Sequence, residues 1–106
     1  MVQVIWTPLA QEDVHNIFDY YNGISSRVAQ AVVEEIFDAA NRLETMPEMG
    51  AREQVFAHLN REYRYLVVLR RYKLIYLYEN HACSILMVWD CRRNPELLKN
   101  SERFSE

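Results

Sequence analysis

The chain predicts an α+β fold, β-α-α-β-β-β with a short C-terminal helix, in which an antiparallel sheet is covered on one face by a helical hairpin. Three observations predict it. Apolar residues recur at helical spacing through two consecutive segments between residues 8 and 50. From about Arg61 the period falls to two and the composition turns to Tyr, Val, Ile and Leu. The 106 residues contain no linker, repeat or low-complexity stretch and suffice for one hydrophobic core, so a single domain spans 1–106.

The β-branched run at 2–6, "VQVIW", reads as a short strand. Thr7 is placed to cap the helix that follows, Pro8 suits its first position, and Glu12 and Asp13 lie near its positive end. Val14, Ile17, Phe18 and Tyr21 then form one apolar stripe, and Asn22-Gly23 is the expected stop, with Gly23 in a left-handed C-cap. Ser25 or Ser26 caps a second helix whose stripe is Ala29, Val32, Val33, Ile36, Ala40 and Leu43, widened by Phe37 and Ala39. Pro47 and Gly50 are expected to end it. Two amphipathic helices so closely joined pack as an antiparallel hairpin.

Three strands follow in "EYRYLVVLR", "YKLIYLYE" and "ACSILMVWDC". "ENHA" (79–82) is expected to turn tightly, and "RRY" (70–72) must turn as well, although it lacks a glycine. Consecutive strands with tight turns pair antiparallel. Asn94 and Pro95 are the N-cap and first residue of a short helix through Glu96, Leu97, Leu98 and Phe104. The first strand lies far in sequence from the rest and must join one of them; its neighbour is not specified.

No apolar run approaches the roughly 18 residues that span a bilayer, and the start has no basic segment followed by an apolar core, so a cytoplasmic protein is expected. Cys83 and Cys91 fall in one predicted strand, eight positions apart. They are therefore expected on one face about 26 Å apart, too far for a disulfide. His15, His58 and His81 are scattered singly, so neither a metal site nor a cofactor is expected. The net charge of −3 divides unevenly: residues 1–60 carry −6, 61–93 carry +4 and 94–106 carry −1. That asymmetry fits a basic surface that meets an anion, and it fits uneven surface charge equally well.

No nucleophile elbow, phosphate-binding glycine loop or Ser/His/Asp arrangement is present. What the sequence offers is a basic, tyrosine-rich sheet. Alternation puts Tyr63, Tyr65, Val67 and Leu69 on one face of their strand and Arg64, Leu66, Val68 and Arg70 on the other. In the next strand Lys73, Ile75 and Leu77 oppose Tyr72, Leu74, Tyr76 and Tyr78. Such tyrosines and cations can stack bases and hold phosphates, and they also fill half-buried sheets with no binding role. Arg92 and Arg93 follow a strand end, where a guanidinium is held without being buried and can bind phosphate in bidentate fashion. Asp90 is a local partner able to neutralise one of them. Local sequence leaves both readings open.

The ordered set of these segments resembles the RelE/ParE superfamily of toxins from bacterial type II toxin–antitoxin modules, the plasmid stabilisation proteins. It comprises the opening strand with Trp6, "TPLAQEDVHNIFDYY", the helix pair closing on Leu43, Pro47 and Gly50, the segment Tyr72-Lys73-Leu74-Ile75-Tyr76, and "SILMVWDCRR". The resemblance implies a toxin neutralised by a cognate antitoxin protein, acting on DNA gyrase in ParE-like members or on ribosome-bound mRNA in RelE-like ones. By position, the basic residues with which the RNA-cleaving branch activates a ribose hydroxyl and steadies the phosphate fall on Arg64, Lys73 and Arg92. A further lysine of that set is replaced by Leu66, the expected C-terminal tyrosine has no counterpart in "NPELLKN", and the His-Tyr pair of other ribonuclease branches is absent. With no evident general base, worth about 10²–10⁴ in rate, the resemblance favours the ParE-like, non-enzymatic branch. In it Arg64, Lys73 and Arg92 become target-binding candidates, and Arg93 a solvated neighbour. A degenerate, non-toxic member is the third expectation.

Overall fold

The computed structural model describes residues 1–99. Its elements are β1 (Gln3–Trp6), α1 (Pro8–Asn22), α2 (Ser26–Asn41), β2 (Ala51–Arg52), β3 (Tyr63–Val68), β4 (Tyr72–Glu79), β5 (Ala82–Asp90) and α3 (Pro95–Lys99), with 3₁₀ turns at Arg42–Glu44 and Gln54–Leu59. The expected order is observed. Phe104, expected to extend the last helix, lies outside the described residues.

The caps act as the sequence indicates. Thr7 accepts the Ala10 amide at 3.4 Å and donates its hydroxyl to the Ile85 carbonyl at 2.7 Å, which fixes the start of α1 against β5. Ser25 accepts the Val28 amide, and Asn94 accepts the Glu96 amide one residue before Pro95. Two expectations need correction. Gly23 is not left-handed: at φ −66° and ψ −17° it continues right-handed geometry. And α2 ends at Asn41, well before Pro47, because the chain tightens into the 3₁₀ turn at Arg42.

The sheet runs β1-β5-β4-β3-β2. The pairs β3/β4 and β4/β5 are antiparallel as expected, β2 adds to β3 antiparallel, and β1 adds to β5 in parallel, so the sheet is mixed rather than antiparallel throughout. The two helices supply the long crossover that a parallel neighbour requires. β5 carries a bulge: Ile75 pairs with Met87 but Tyr76 with Ile85, leaving Leu86 as the extra residue. The bulge inverts the alternation after it. Cys83 therefore packs under the helices while Cys91, eight positions on, follows Trp89 toward the other face, contrary to the single face expected. Both thiols are free.

Both faces of the sheet are covered. The helical hairpin buries Val14, Val32, Ile36, Ala40 and Leu43 against Leu74, Tyr76, Ile85 and Val88. On the opposite face Phe56, from the 3₁₀ segment, and Leu98, from α3, pack with Tyr63, Ile75, Leu77, Met87 and Trp89. Each large side chain removed from water in this way contributes about 1.5–3 kcal/mol. Neither β2 nor the 3₁₀ segment was expected from local pattern. Yet Phe56 is 1% exposed, its ring 5.5 Å from that of Tyr63 in the cluster that covers this face.

Candidate functional site

The three basic residues singled out in the sequence are held in three separate places. Arg64 lies on the helix-covered side of β3, opposite Tyr76. Its Nε donates to Glu62 at 2.8 Å, and its Nη1 donates to the carbonyls of Gly50 at 2.7 Å and Glu48 at 3.1 Å. The side chain is 15% exposed. In this position the guanidinium ties the 48–50 loop to the sheet.

Lys73 pairs across β3 with Val67, so the period-two rule turns it to the opposite face from Arg64. Its ammonium lies 2.9 Å from one oxygen of Glu53 and 3.3 Å from the other, and 4.2 Å from the centre of the Tyr65 ring. Glu53 is buried, the sole charged residue so enclosed among those described.

Arg92 stands beyond β5, two-thirds exposed, folded back on Asp90. Its Nε and Nη2 donate to the two Asp90 oxygens at 3.1 and 2.8 Å, and its backbone amide donates to the same carboxylate at 2.9 Å. These bonds hold the Asp90 carboxyl well below the usual range, at about 2. Arg93 is not merely solvated: its guanidinium sits 4.5 Å from the Trp89 ring centre.

Sequence reasoning passed over two residues of this basic end. Arg71 lies in the expected turn, just before β4 begins at Tyr72, and its carbonyl accepts the Cys91 amide at 2.8 Å. Its guanidinium is ringed by Tyr20, Tyr21 and Tyr72, with centroids 5.8, 5.5 and 5.5 Å away. The Tyr20-Tyr21 doublet was the available signal, since two adjacent tyrosines on a helix cannot both point into the core. Glu53 had no signal, because nothing in "AREQVF" distinguishes a buried carboxylate from an exposed one.

Among the described residues no group of three or more His, Cys, Asp and Glu is placed to hold a metal ion, and no helix is long and apolar enough to cross a membrane. The chemistry on offer is that of guanidinium forks, phenols and paired carboxylates.

A chain from a solved structure described as "Chromosomal ParDE TA system from P. aeruginosa" superposes with a TM-score of 0.71 at 21% identity, over 85% of this chain and 96% of that one. At that identity the likeness is one of fold. No curated protein matches the sequence. A sequence profile of the family described as "ParE toxin of type II toxin-antitoxin system, parDE" matches residues 4–95. That span takes in both long helices, every strand from Val4 onward, and both Arg92 and Arg93; the chain belongs to the ParE toxin family.

Proposed function

We propose that the chain is the toxin of a type II toxin–antitoxin pair, that it arrests growth in the cytoplasm by binding DNA gyrase, and that a cognate antitoxin neutralises it. The observation that carries the binding mode over cleavage is the separation of Arg64, Lys73 and Arg92. Arg64 and Lys73 project from opposite faces of the sheet, and each of the three cations is engaged by a carboxylate of the same chain. A ribonuclease built on these residues needs their donors about 3 Å from one scissile phosphate, and needs a general base as well. A binding protein needs neither. Arg92, whose fork is the most open of the three, is the candidate target contact, and its loss weakens inhibition without removing any cleavage chemistry.

The test is pulse-labelling of DNA and protein synthesis after tightly controlled induction, paired with a supercoiling assay of purified toxin and gyrase. DNA synthesis stopping first, with supercoiling inhibited in vitro, supports the proposal. Protein synthesis stopping first overturns it for a ribosome-dependent mRNA endoribonuclease, with Arg64, Lys73 and Arg92 as the first residues to substitute. If neither stops and gyrase is unaffected, the chain is a degenerate, non-toxic member. Co-expression of the neighbouring small open reading frame tests neutralisation separately.

A further inference from the structure

Between the C-terminal half of α1 and the ends of β4 and β5 lies an open cleft of about 250 Å³, lined among others by Asn16, Tyr20, Arg71, Asp90 and Arg92. Its centre is Arg71. The side chain is 24% exposed, yet no hydrogen bond joins its guanidinium to any described residue, and its Nε is fully buried. The nearest carboxylate, Asp90, stands 3.8 Å from that Nε, beyond hydrogen-bond distance. Asp90 is already engaged by Arg92 through both its oxygens. The charge of Arg71 is thus balanced at a distance by Asp90, but its buried Nε–H has no hydrogen-bond acceptor, which native proteins rarely leave. Here three tyrosine rings hold the fork in place, and the aromatic cage supplies orientation but no acceptor.

We infer that this cleft is a receptor for a carboxylate side chain of a protein partner, with Arg71 as its bidentate ligand. A planar, oriented fork suits a planar two-oxygen acceptor. Protein is the better fit than nucleic acid for two reasons. The lining sets the guanidinium groups of Arg71, Arg92 and Arg93 against the carboxylates of Asp13 and Asp90, a balance that suits a single anionic group better than a polyanion. The lining is also partly apolar: Ile17 and Val88 contribute to it, and Tyr20 is 58% exposed. An acidic residue beside an aliphatic one would fill both parts. The inference does not rest on gyrase being the target.

The experiment follows the backbone amide resonances of Asn16 and Asp90, which line the cleft, in the full-length, ¹⁵N-labelled protein during titration with acetyl-Leu-Glu-amide, acetyl-Leu-Gln-amide and inorganic phosphate. The expected result is a saturable shift with the Glu dipeptide alone. Arg71→Lys, which keeps the charge and loses the fork, weakens that binding about ten-fold, and Tyr20→Ala, at an exposed ring that does not threaten the fold, weakens it several-fold. Tighter binding of phosphate than of the Glu dipeptide overturns the assignment to a protein carboxylate. An unsaturable shift, or unchanged affinity in a folded Arg71→Lys protein, overturns the site.

Discussion

The ammonium of Lys73 lies 2.9 Å from the carboxylate of Glu53, which is 4% exposed. Removing one member of a buried pair leaves the other charge unpaired at a cost of about 3–5 kcal/mol. Lys73 is 27% exposed, so solvent screening places Lys73→Ala at the lower end, about 3 kcal/mol. Replacing the pair together, by Lys73→Met with Glu53→Gln, restores most of the loss. Urea unfolding of the three proteins decides it; a single mutant within about 0.5 kcal/mol of the parent shows the pair to be idle. A functional test of Lys73 therefore uses Lys73→Arg, since the alanine variant conflates activity with folding.

The Leu43, Pro47 and Gly50 signature has a physical basis in Tyr76. That hydroxyl donates to the Pro47 carbonyl at 2.7 Å and accepts the Gly50 amide at 3.1 Å, and burial pushes its pKa up to about 12. A methyl group on Gly50 would stand 2.7 Å from both the Tyr65 carbonyl oxygen and the Tyr76 hydroxyl. Gly50→Ala is expected to cost about 2–3 kcal/mol through overpacking. Tyr76→Phe costs about 1–3 kcal/mol, because it leaves a buried carbonyl and amide without partners. Thermal melts of both check this, and a Gly50→Ala protein as stable as the parent shows that the loop moves aside freely.

Much of the fold was legible because single residues carried it: Thr7, Ser25 and Asn94 announce their helices, and the change of period near Arg61 announces the sheet. What was illegible depended on pairing that no local pattern encodes. The extra residue Leu86 reverses which face Cys91 occupies, and β1 joins β5 in parallel through contacts distant in sequence. The candidate site shows the same division. Alternation sorted side chains within each strand, but only the β3/β4 register puts Arg64 and Lys73 on opposite faces; Glu62, the partner of Arg64, is two residues away, whereas Glu53 reaches Lys73 through tertiary packing. Arg71 lies in the expected turn, but only tertiary packing brings Tyr20 and Tyr21 of α1 to it.

That turn is itself strained. Leu69 and Arg70 both have φ of +56°, with the Arg71 amide donating to the Val68 carbonyl at 3.1 Å, the arrangement of a two-residue type I′ hairpin. Left-handed backbone costs about 1–2 kcal/mol for residues other than glycine, and asparagine tolerates it better than leucine. Replacing Leu69-Arg70 with Asn-Gly is expected to stabilise the protein by about 1 kcal/mol or more in urea unfolding. No gain, with the hairpin intact by amide exchange, shows that Leu69, about half exposed, contributes contacts that offset its strain.

The bond from Arg92 to Asp90 predicts a pH response. Its guanidinium is the main cause of the lowered Asp90 carboxyl, from 3.8 to about 2, with the Arg92 amide and the Arg71 charge adding to it. A carboxylate depressed in the folded state stabilises above its unfolded pKa and loses that contribution as pH falls through the folded one. The Asp90 contribution is therefore complete above about pH 4 and lost toward pH 2. Carboxyl ¹³C titration should place the Asp90 midpoint near 2 in the parent and nearer 3.8 in Arg92→Ala, and Asp90→Asn should flatten stability across that window. A parent midpoint near 3.8 would mean that the pair does not persist in solution. At neutral pH Asp90 is charged and occupies the Arg92 fork, so any target contact by Arg92 competes with it. If Arg92 binds the target, Asp90→Asn strengthens growth inhibition relative to the parent, while Arg92→Ala weakens it; equal toxicity of all three removes Arg92 from the binding surface.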